Sequence, residues 1–588
     1  MKEKISRIFN KYFGFLNPKT GEVFWAIKSF SKTEKNILGI FVIIFIFSSI
    51  VLGWKINQSF LVEIPIQGGS VSEGIIGAPR FINPLLALSE ADRDLTTLVY
   101  SGLLRATPDG DLENDLAESF TISDDGLSYN FILKDNIYFH DGQKVTVDDI
   151  IFTVHKIQDS ILKSPKRASW EGVDIEKINE KEIQFTLKRA YSPFLENTTL
   201  GILPKHIWEN ISSEQFGFSQ FNIEPIGSGP YKVTSIKRDS SGIPLYYDLK
   251  PFKKFSLGES LIANLRINFY SNEDSLWEAY DQGKIGSINT VSPEKAAILE
   301  KSGLQLKRWP LPRVFGAFFN QNQATIFTDR LLRKALREAV DKNMIVNEVL
   351  HGYATVIDGP IPPGGLGYPE TEIKSQDIEE TNHLDTAKEI LENNGWKFNE
   401  EEQVLEKKTR KQTDQLRFSI ATSNATELKA AAELIKKDWE ALGAQVELKI
   451  FDTGDLNQNV IRPRKYDVLF FGEIIGRDSD PFAFWHSSQR NDPGLNISLY
   501  TNITADKLLE DGRTLADKEI RKDKYRLFQK EVAKDIPAVF VYSPDFIYLI
   551  QDNLKGVDIR HITIPSERFL NIHKWYIETD KVWKVFIK

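Results

Sequence analysis

At 588 residues the chain is too long for one hydrophobic core and is expected to divide into two or three domains. Its 41% hydrophobic and 27% charged content is that of an ordinary folded protein, and a formal net charge of −8 argues against general nucleic-acid binding, which favours a basic surface. No cysteine occurs, which excludes disulfides, thiolate metal sites, cysteine nucleophiles and a lipid-modified cysteine anchor.

Residues 1–36 form a basic leader, with Lys2, Lys4, Arg7, Lys11, Lys19, Lys28, Lys32 and Lys35 against Glu3, Glu22 and Glu34. Residues 37–54, ILGIFVIIFIFSSIVLGW, then run without a charge. At about 1.5 Å per residue this stretch spans roughly 27 Å, close to the hydrocarbon core of a bilayer. The basic excess before it predicts a cytoplasmic N-terminus and an extracytoplasmic body, in the periplasm or at the cell surface. Trp54 and Lys55 then fall at the outer interface. A buried core helix and a cleaved signal peptide, cut near Ser48-Ser49 or Gly53, are the rival readings. The long leader and the lack of a clear A-x-A site favour an uncleaved anchor. Residues 55–70 read as a linker, with QGGSVS at 67–72 closing it.

Further along, residues 116–161 read as a hairpin, a turn and a helix. Tyr129, Phe131 and Leu133 alternate with Asn130 and Ile132, and Asp125-Gly126 supplies the turn that pairs residues 120–122 back onto them. Asp141-Gly142 marks the next turn. Thr146 and Asp149 form a capping-box arrangement ahead of Ile150, Ile151, Val154, Ile157 and Ile161 at helical spacing. Residues 364–382 and 399–415, dense in glycine or charge, read as surface loops or an exposed hairpin.

Residues 416–421 are a strand candidate. Thr426 is placed to cap a helix carrying Leu428, Ala431, Ala432, Ile435, Trp439 and Leu442 on one face, stopped by Gly443. Residues 446–451 and 466–471 (YDVLFF) supply two more strands. Such a β–α–β unit implies parallel pairing with a right-handed crossover, and ligands of open α/β sheets collect beyond the carboxyl ends of the strands. That rule points to the residues after YDVLFF: Gly472, Glu473, Ile474, Ile475, Gly476, Arg477 and Asp478. Residues 506–515 and 518–534 look like helices, and 538–542 (AVFVY) a buried strand begun by Pro537.

As a string, 116–161 resembles the signature region of the extracellular solute-binding proteins of family 5, receptors for peptides, nickel or other solutes of ABC importers. Further matches follow in order: IIGAPRFINPLL (75–86), YSGLL (100–104), PIGSGPYKV (225–233), Phe319-Asn320 with DRLLRKALREAVD (329–341), AKEILENNGW (387–396) and GRDSDPFAFWHSS (476–488). The resemblance implies an α/β, two-lobed periplasmic-binding-protein fold (type II, large peptide-binding subclass) behind an N-terminal transmembrane helix. Lobe 1 is then expected at 71–290, with an extra subdomain at about 106–215, lobe 2 at 291–500, and a return to lobe 1 at 501–588. The implied function is capture of a peptide between the lobes and its delivery to an ABC permease, by a monomer without cofactor or metal. A receptor for a nickel chelate, oligosaccharide or opine is the nearest alternative. A chaperone or sensor module on the same fold, acting on unfolded chains or partner proteins, is the other.

The resemblance also implies an aspartate that holds the ligand's amine in a closed cleft, where a carboxylate recognises an ammonium. Asp478 is the candidate, but Arg477 occupies its place in the longer version of the motif and would favour a carboxylate or other anion. A turn cap ahead of Pro481 is the structural alternative for Asp478. Gly476, Ile475 and Glu473 belong to the same loop. Trp485 and His486 are an aromatic wall and a polar contact, or core packing and a hydrogen-bonded surface histidine. Asn320 contacts ligand backbone or closes a turn; Tyr100 and Asn83 rest on motif position. Gly227 and Gly229 serve tight backbone geometry, since the loop lacks the Lys-Ser/Thr of a phosphate loop. No G-x-S-x-G elbow or H-E-x-x-H pair is present, and the eight histidines are scattered singly, so no enzyme is expected.

Overall fold

The computed structural model of the chain describes residues 28–369, 383–410, 412–478 and 480–586. The basic leader up to residue 27, most of the loop at 364–382 and Ser479 lie outside the described residues. Two compact units are present, one running up to Ile66 and resuming at Glu578, the other Gln67–Ile577.

In the smaller unit Ser31 caps a 29-residue helix, Lys32–Phe60. The Ser31 N–H donates to Glu34 Oε2 at 2.8 Å and its hydroxyl accepts from the Glu34 N–H at 3.3 Å, a reciprocal capping box. No residue of the helix is buried, and it is long and apolar enough to cross a membrane. It overruns the expected span 37–54 at both ends. The expected linker at 55–70 is instead ordered: its first residues finish the helix, and Leu61–Pro65 pairs antiparallel with Thr579–Trp583 near the C-terminus.

Residues 67–72 are likewise not a tether. In the larger unit they enter a strand, Gly68–Ile76, parallel to Ile262–Tyr270 on one side and to Ser287–Ile288 on the other. Those partners satisfy its backbone in spite of the glycines. Pro244–Pro251 and Tyr231–Arg238 complete a five-stranded sheet. A four-stranded antiparallel sheet covers Ala117–Ile122, Ser128–Leu133, Val173–Lys177 and Glu182–Leu187. Its hairpin turns at Gly126, whose φ of +68° requires glycine or a similarly tolerant residue. Tyr129, Phe131 and Leu133 are buried and Ile132 is exposed, as the alternation predicts. The helix Val147–Gln158 follows, with the Thr146 N–H donating to Asp149 Oδ2 at 2.8 Å. Both sheets share one core, in which Val71, Phe131, Phe185, Trp208, Leu265 and Trp575 are buried.

A second, seven-stranded sheet joins Arg313–Phe319, Val468–Ile474, Arg417–Ser423 and Gln445–Phe451 side by side, with Ala538–Tyr548 on the far flank of Arg313–Phe319. Arg417–Ser423 is parallel to both Gln445–Phe451 and Val468–Ile474, the β–α–β arrangement expected. The intervening helix Thr426–Ala441 has Ala425, not Thr426, at its N-cap and no side-chain cap bond; the Ala425 N–H instead donates to Ser423 Oγ at 3.3 Å. Alternate residues of Arg313–Phe319 face opposite layers. Ala317 and Phe319 meet Leu332, Ile435 and Trp439, while Val314 and Phe318 meet Trp485, Tyr525 and Phe528.

The expected return to the first lobe at residue 501 comes later. Helices Ile503–Thr514 and Lys518–Asp535 pack on the second sheet through Ala505, Leu509, Tyr525, Phe528 and Val532. Strand Ala538–Tyr548 makes the crossing, with Val539 and Val541 in the second core and Phe546 and Tyr548 in the first. The boundary expected near residue 291 also moves, since Ala296 of helix Pro293–Lys301 packs with Leu276, Ile288 and Leu549 beside the first sheet.

Candidate functional site

A cavity of about 270 Å³ opens where the loop after Val468–Ile474 meets the first lobe. That loop contributes Gly476 and Arg477. The first lobe contributes Thr96 and Tyr100 from the end of helix Glu90–Val99, Glu196, and Thr563 and Glu567 around the turn Pro565–Phe569. The position fits the strand-end rule for α/β sheets. Three hydroxyls on this wall, those of Thr96, Tyr100 and Thr563, are buried with no hydrogen-bond partner among the described residues. Buried polar groups are rarely left so, and three of them on residues that line one cavity fit a polar ligand.

The wall is also charged. Arg477 meets Glu567 Oε2 at 2.6 Å. Burial pushes the Glu196 carboxyl up to about 8; Asp478 and Glu567 add to the rise by repulsion, while Arg477 and Arg521 oppose it. Below that pH Glu196 is protonated and able to donate as well as accept. Arg568, next to Glu567, turns the other way and is wholly buried between Glu73 (2.6 Å) and Asp94 (2.5 Å). This ion triad ties the Pro565–Phe569 turn to helix Glu90–Val99, the two elements that carry Glu567 and Tyr100.

A glycine loop sets the position of Tyr100. Gly229 donates its N–H to Val99 O at 2.7 Å, and a side chain on it would stand 2.6 Å from the Val99 carbonyl carbon. His140, from the signature stretch, braces the loop: its Nε2 lies 3.0 Å from Gly229 O, and its N–H donates to Gly227 O at 2.8 Å. Burial lowers the His140 pKa to about 4, so the ring is neutral. The tight-geometry reading of Gly227 and Gly229 therefore has a concrete cause.

Of the residues singled out from sequence, Tyr100, Gly476 and Arg477 line the cavity. Asp478 lies one residue past the wall and pairs with Arg521 of helix Lys518–Asp535. Burial raises the Asp478 pKa, and the Arg521 guanidinium opposes that rise. The cap ahead of Pro481 is made by Asp480, which accepts from the Phe482 N–H at 3.1 Å and pairs with Arg513 at 2.9 Å.

The remaining candidates lie elsewhere. Asn83 accepts from the Leu85 N–H and donates to Asn222. Asn320 closes a turn, accepting from the Asn322 and Gln323 N–H groups and donating to Arg464 O. Ile475 and Trp485 are wholly buried in the layer on the opposite face of the second sheet, with Val314 and Phe318. Glu473 is enclosed beside Trp485, and burial holds its carboxyl well above the carboxylate range, with the Trp485 indole opposing. His486 stacks on Phe482 with centroids 4.1 Å apart and accepts from the Ser488 N–H at Nδ1. None of these six is on the cavity wall.

Thr96, Glu196, Thr563 and Glu567 carry no local motif and were missed. Arg521 was legible: it falls on the buried stripe with Tyr525, Phe528 and Val532, where a cation requires an acid.

The family model for bacterial extracellular solute-binding proteins, family 5 Middle, matches residues 111–494. The oligopeptide-binding protein AppA of Bacillus subtilis (strain 168) is 27% identical over 557 residues, covering 93% of this chain and 99% of its own. A probable D,D-dipeptide-binding periplasmic protein, DdpA of Escherichia coli (strain K12), is 26% identical, with 81% and 89% covered. The structure of Bacillus subtilis AppA in complex with a nonapeptide superposes with a TM-score of 0.66 at 26% identity, over 88% of this chain and 100% of that one. The ABC transporter substrate-binding protein CtaP of Listeria monocytogenes gives 0.72 at 26% identity, over 87% and 99%.

Proposed function

Because this chain belongs to family 5 of the bacterial extracellular solute-binding proteins, we propose that it takes a short peptide into the cavity between its lobes and hands it to an ABC importer. The reading is carried by Thr96, Tyr100 and Thr563, which line that cavity and whose buried hydroxyls have no hydrogen-bond partner among the described residues. A peptide backbone brings both donors and acceptors to such groups without requiring a particular side chain. At about 270 Å³ the cavity falls just below the usual range of ligand pockets, about 300–1,000 Å³, so a short ligand is favoured. The peptide amine is assigned to the acidic cluster around Asp478, and its carboxylate to Arg477. Helix Lys32–Phe60 serves as a retained anchor with the N-terminus in the cytoplasm, and the chain acts as a monomer. Transport rather than turnover is its role.

A second reading rests on Arg477, which suits a solute carboxylate. NikZ of Campylobacter jejuni, solved in complex with Ni(L-His), is 25% identical with a TM-score of 0.66 over 86% of this chain and 99% of that one.

Calorimetry on the full chain in detergent separates these readings. Di- to tetrapeptides are expected to bind, with Tyr100→Phe weakening them by about 1 kcal/mol, the usual net worth of a hydrogen bond. Asp478→Ala is expected to weaken free-amine peptides and leave N-acetylated ones unchanged. Equal affinity for both peptide forms in both proteins removes the aspartate from recognition. Binding of nickel–histidine with no binding of peptides replaces the first reading by the second.

A further inference from the structure

The end of the chain is built into the root of the apolar helix. Thr579–Trp583 pairs antiparallel with Leu61–Pro65, Trp583 opposite Leu61 and Thr579 opposite Pro65, so the chain runs back toward the helix as it finishes. Trp583 Nε1 donates to Asn57 Oδ1 at 2.8 Å, and its ring stacks on Phe60 with centroids 6.1 Å apart. Lys581 faces Glu63 across the ribbon at 3.9 Å. The 3₁₀ turn Lys584–Phe586 follows directly, with Val585 77% and Phe586 76% exposed. A two-stranded ribbon is marginal in water, and this one presents its largest apolar side chains uncovered.

What covers them follows from where they stand. The charge-free run ends at Trp54, and Asn57 is about 4.5 Å further along the helix axis at about 1.5 Å per residue. Trp583 therefore sits within one turn of the end of the apolar span, with Lys581 and Lys584 beside it in sequence and Lys55 on the same helical turn as Asn57. Aromatic rings flanked by lysines at the end of a membrane-length helix match the chemistry of the headgroup region, where amphipathic rings and cations are enriched.

Resting on the reading of Lys32–Phe60 as a retained membrane span, we propose that the C-terminal segment Thr579–Phe586 is the outer part of the anchor. Trp583, Val585 and Phe586 insert with Phe60 at the outer lipid interface, and Lys581 and Lys584 meet the phosphates of acidic phospholipids. The chain is thus fastened to the membrane surface by two segments far apart in sequence, Lys32–Phe60 and Thr579–Phe586.

The absence of cysteine makes single thiols unambiguous. Full chains carrying Phe586→Cys, Val585→Cys, Phe45→Cys or Ser241→Cys, each labelled with an environment-sensitive fluorophore, are reconstituted in phosphatidylethanolamine–phosphatidylglycerol vesicles. Residues 585 and 586 are expected to be quenched by shallow lipid nitroxides and to lose the iodide quenching seen at residue 241; residue 45 is expected to respond to deep nitroxides. Iodide quenching at 585 and 586 equal to that at 241, with 45 still in lipid, overturns the proposal and leaves the membrane span standing. Iodide quenching at 45 overturns both.

Discussion

Glu196 is the residue whose environment makes the clearest demand on solution behaviour. In the cavity of this structure burial lifts its carboxyl from 4.5 to about 8. Should the lobes part, the same group is expected to become solvated and return toward its ordinary value. Closure then takes up a proton between these two values, so the closed form is most favoured below about 4.5 and loses this contribution as pH rises through about 8. Ligand affinity should accordingly fall across that window, by up to about tenfold per pH unit, and level off above it. Glu196→Gln is expected to flatten the profile, as isothermal titrations at several pH values would read. A profile that stays steep in the variant assigns the proton elsewhere. Asp478 and Asp480 give the companion lesson, since each aspartate meets its own arginine, Arg521 and Arg513. A ligand amine competes for Asp478 with a cation already in place.

At the scale of elements, the loop 225–233 explains why two distant motifs belong together. His140 from the signature stretch holds the carbonyls of Gly227 and Gly229, and these glycines let the loop lie against Val99 and Tyr100. Gly229→Ala would drive a methyl group into backbone that has no soft side chain to yield, an overpacking of about 1–3 kcal/mol. Because the backbone pushed is that of Val99 and Tyr100, the variant should also lose affinity in excess of the Tyr100→Phe change. A thermal melt and a titration on the same sample check both halves. A variant with unaltered melting temperature would mean the loop moves freely.

For the whole molecule, function depends on two packed halves linked by few crossings. Strand Ala538–Tyr548 enters both hydrophobic cores, so motion about it leaves each core intact. A ligand shifts the open–closed balance only through better binding to the closed state; a swing from 1:99 to 99:1 takes about 5.5 kcal/mol of such difference. Spin labels at Asn179→Cys and Lys437→Cys, exposed on the two halves, should give a broad distance distribution that narrows and shortens when peptide is added. One unchanged distance with and without ligand would exclude hinge capture.

Much of this was readable along the chain, because the signals are local. A charge-free run long enough to span a bilayer, the Asp-Gly turns, the stripe of helix Thr426–Ala441 and the strands around YDVLFF each follow from side chains a few residues apart. The two-lobed architecture followed from the family resemblance that the ordered motifs carry. Placing the lobe crossings was harder, since helices Ile503–Thr514 and Lys518–Asp535 carry an apolar face that suits either sheet. The cavity was only partly legible for a related reason. Its wall draws on residues near 96–100, 196, 476–477 and 563–567, and no local pattern records which of these meet. Which arginine answers which aspartate, and that the last strand returns to the first, were decided by tertiary packing alone: charge pairing and strand pairing depend on distance in space, which sequence separation does not measure.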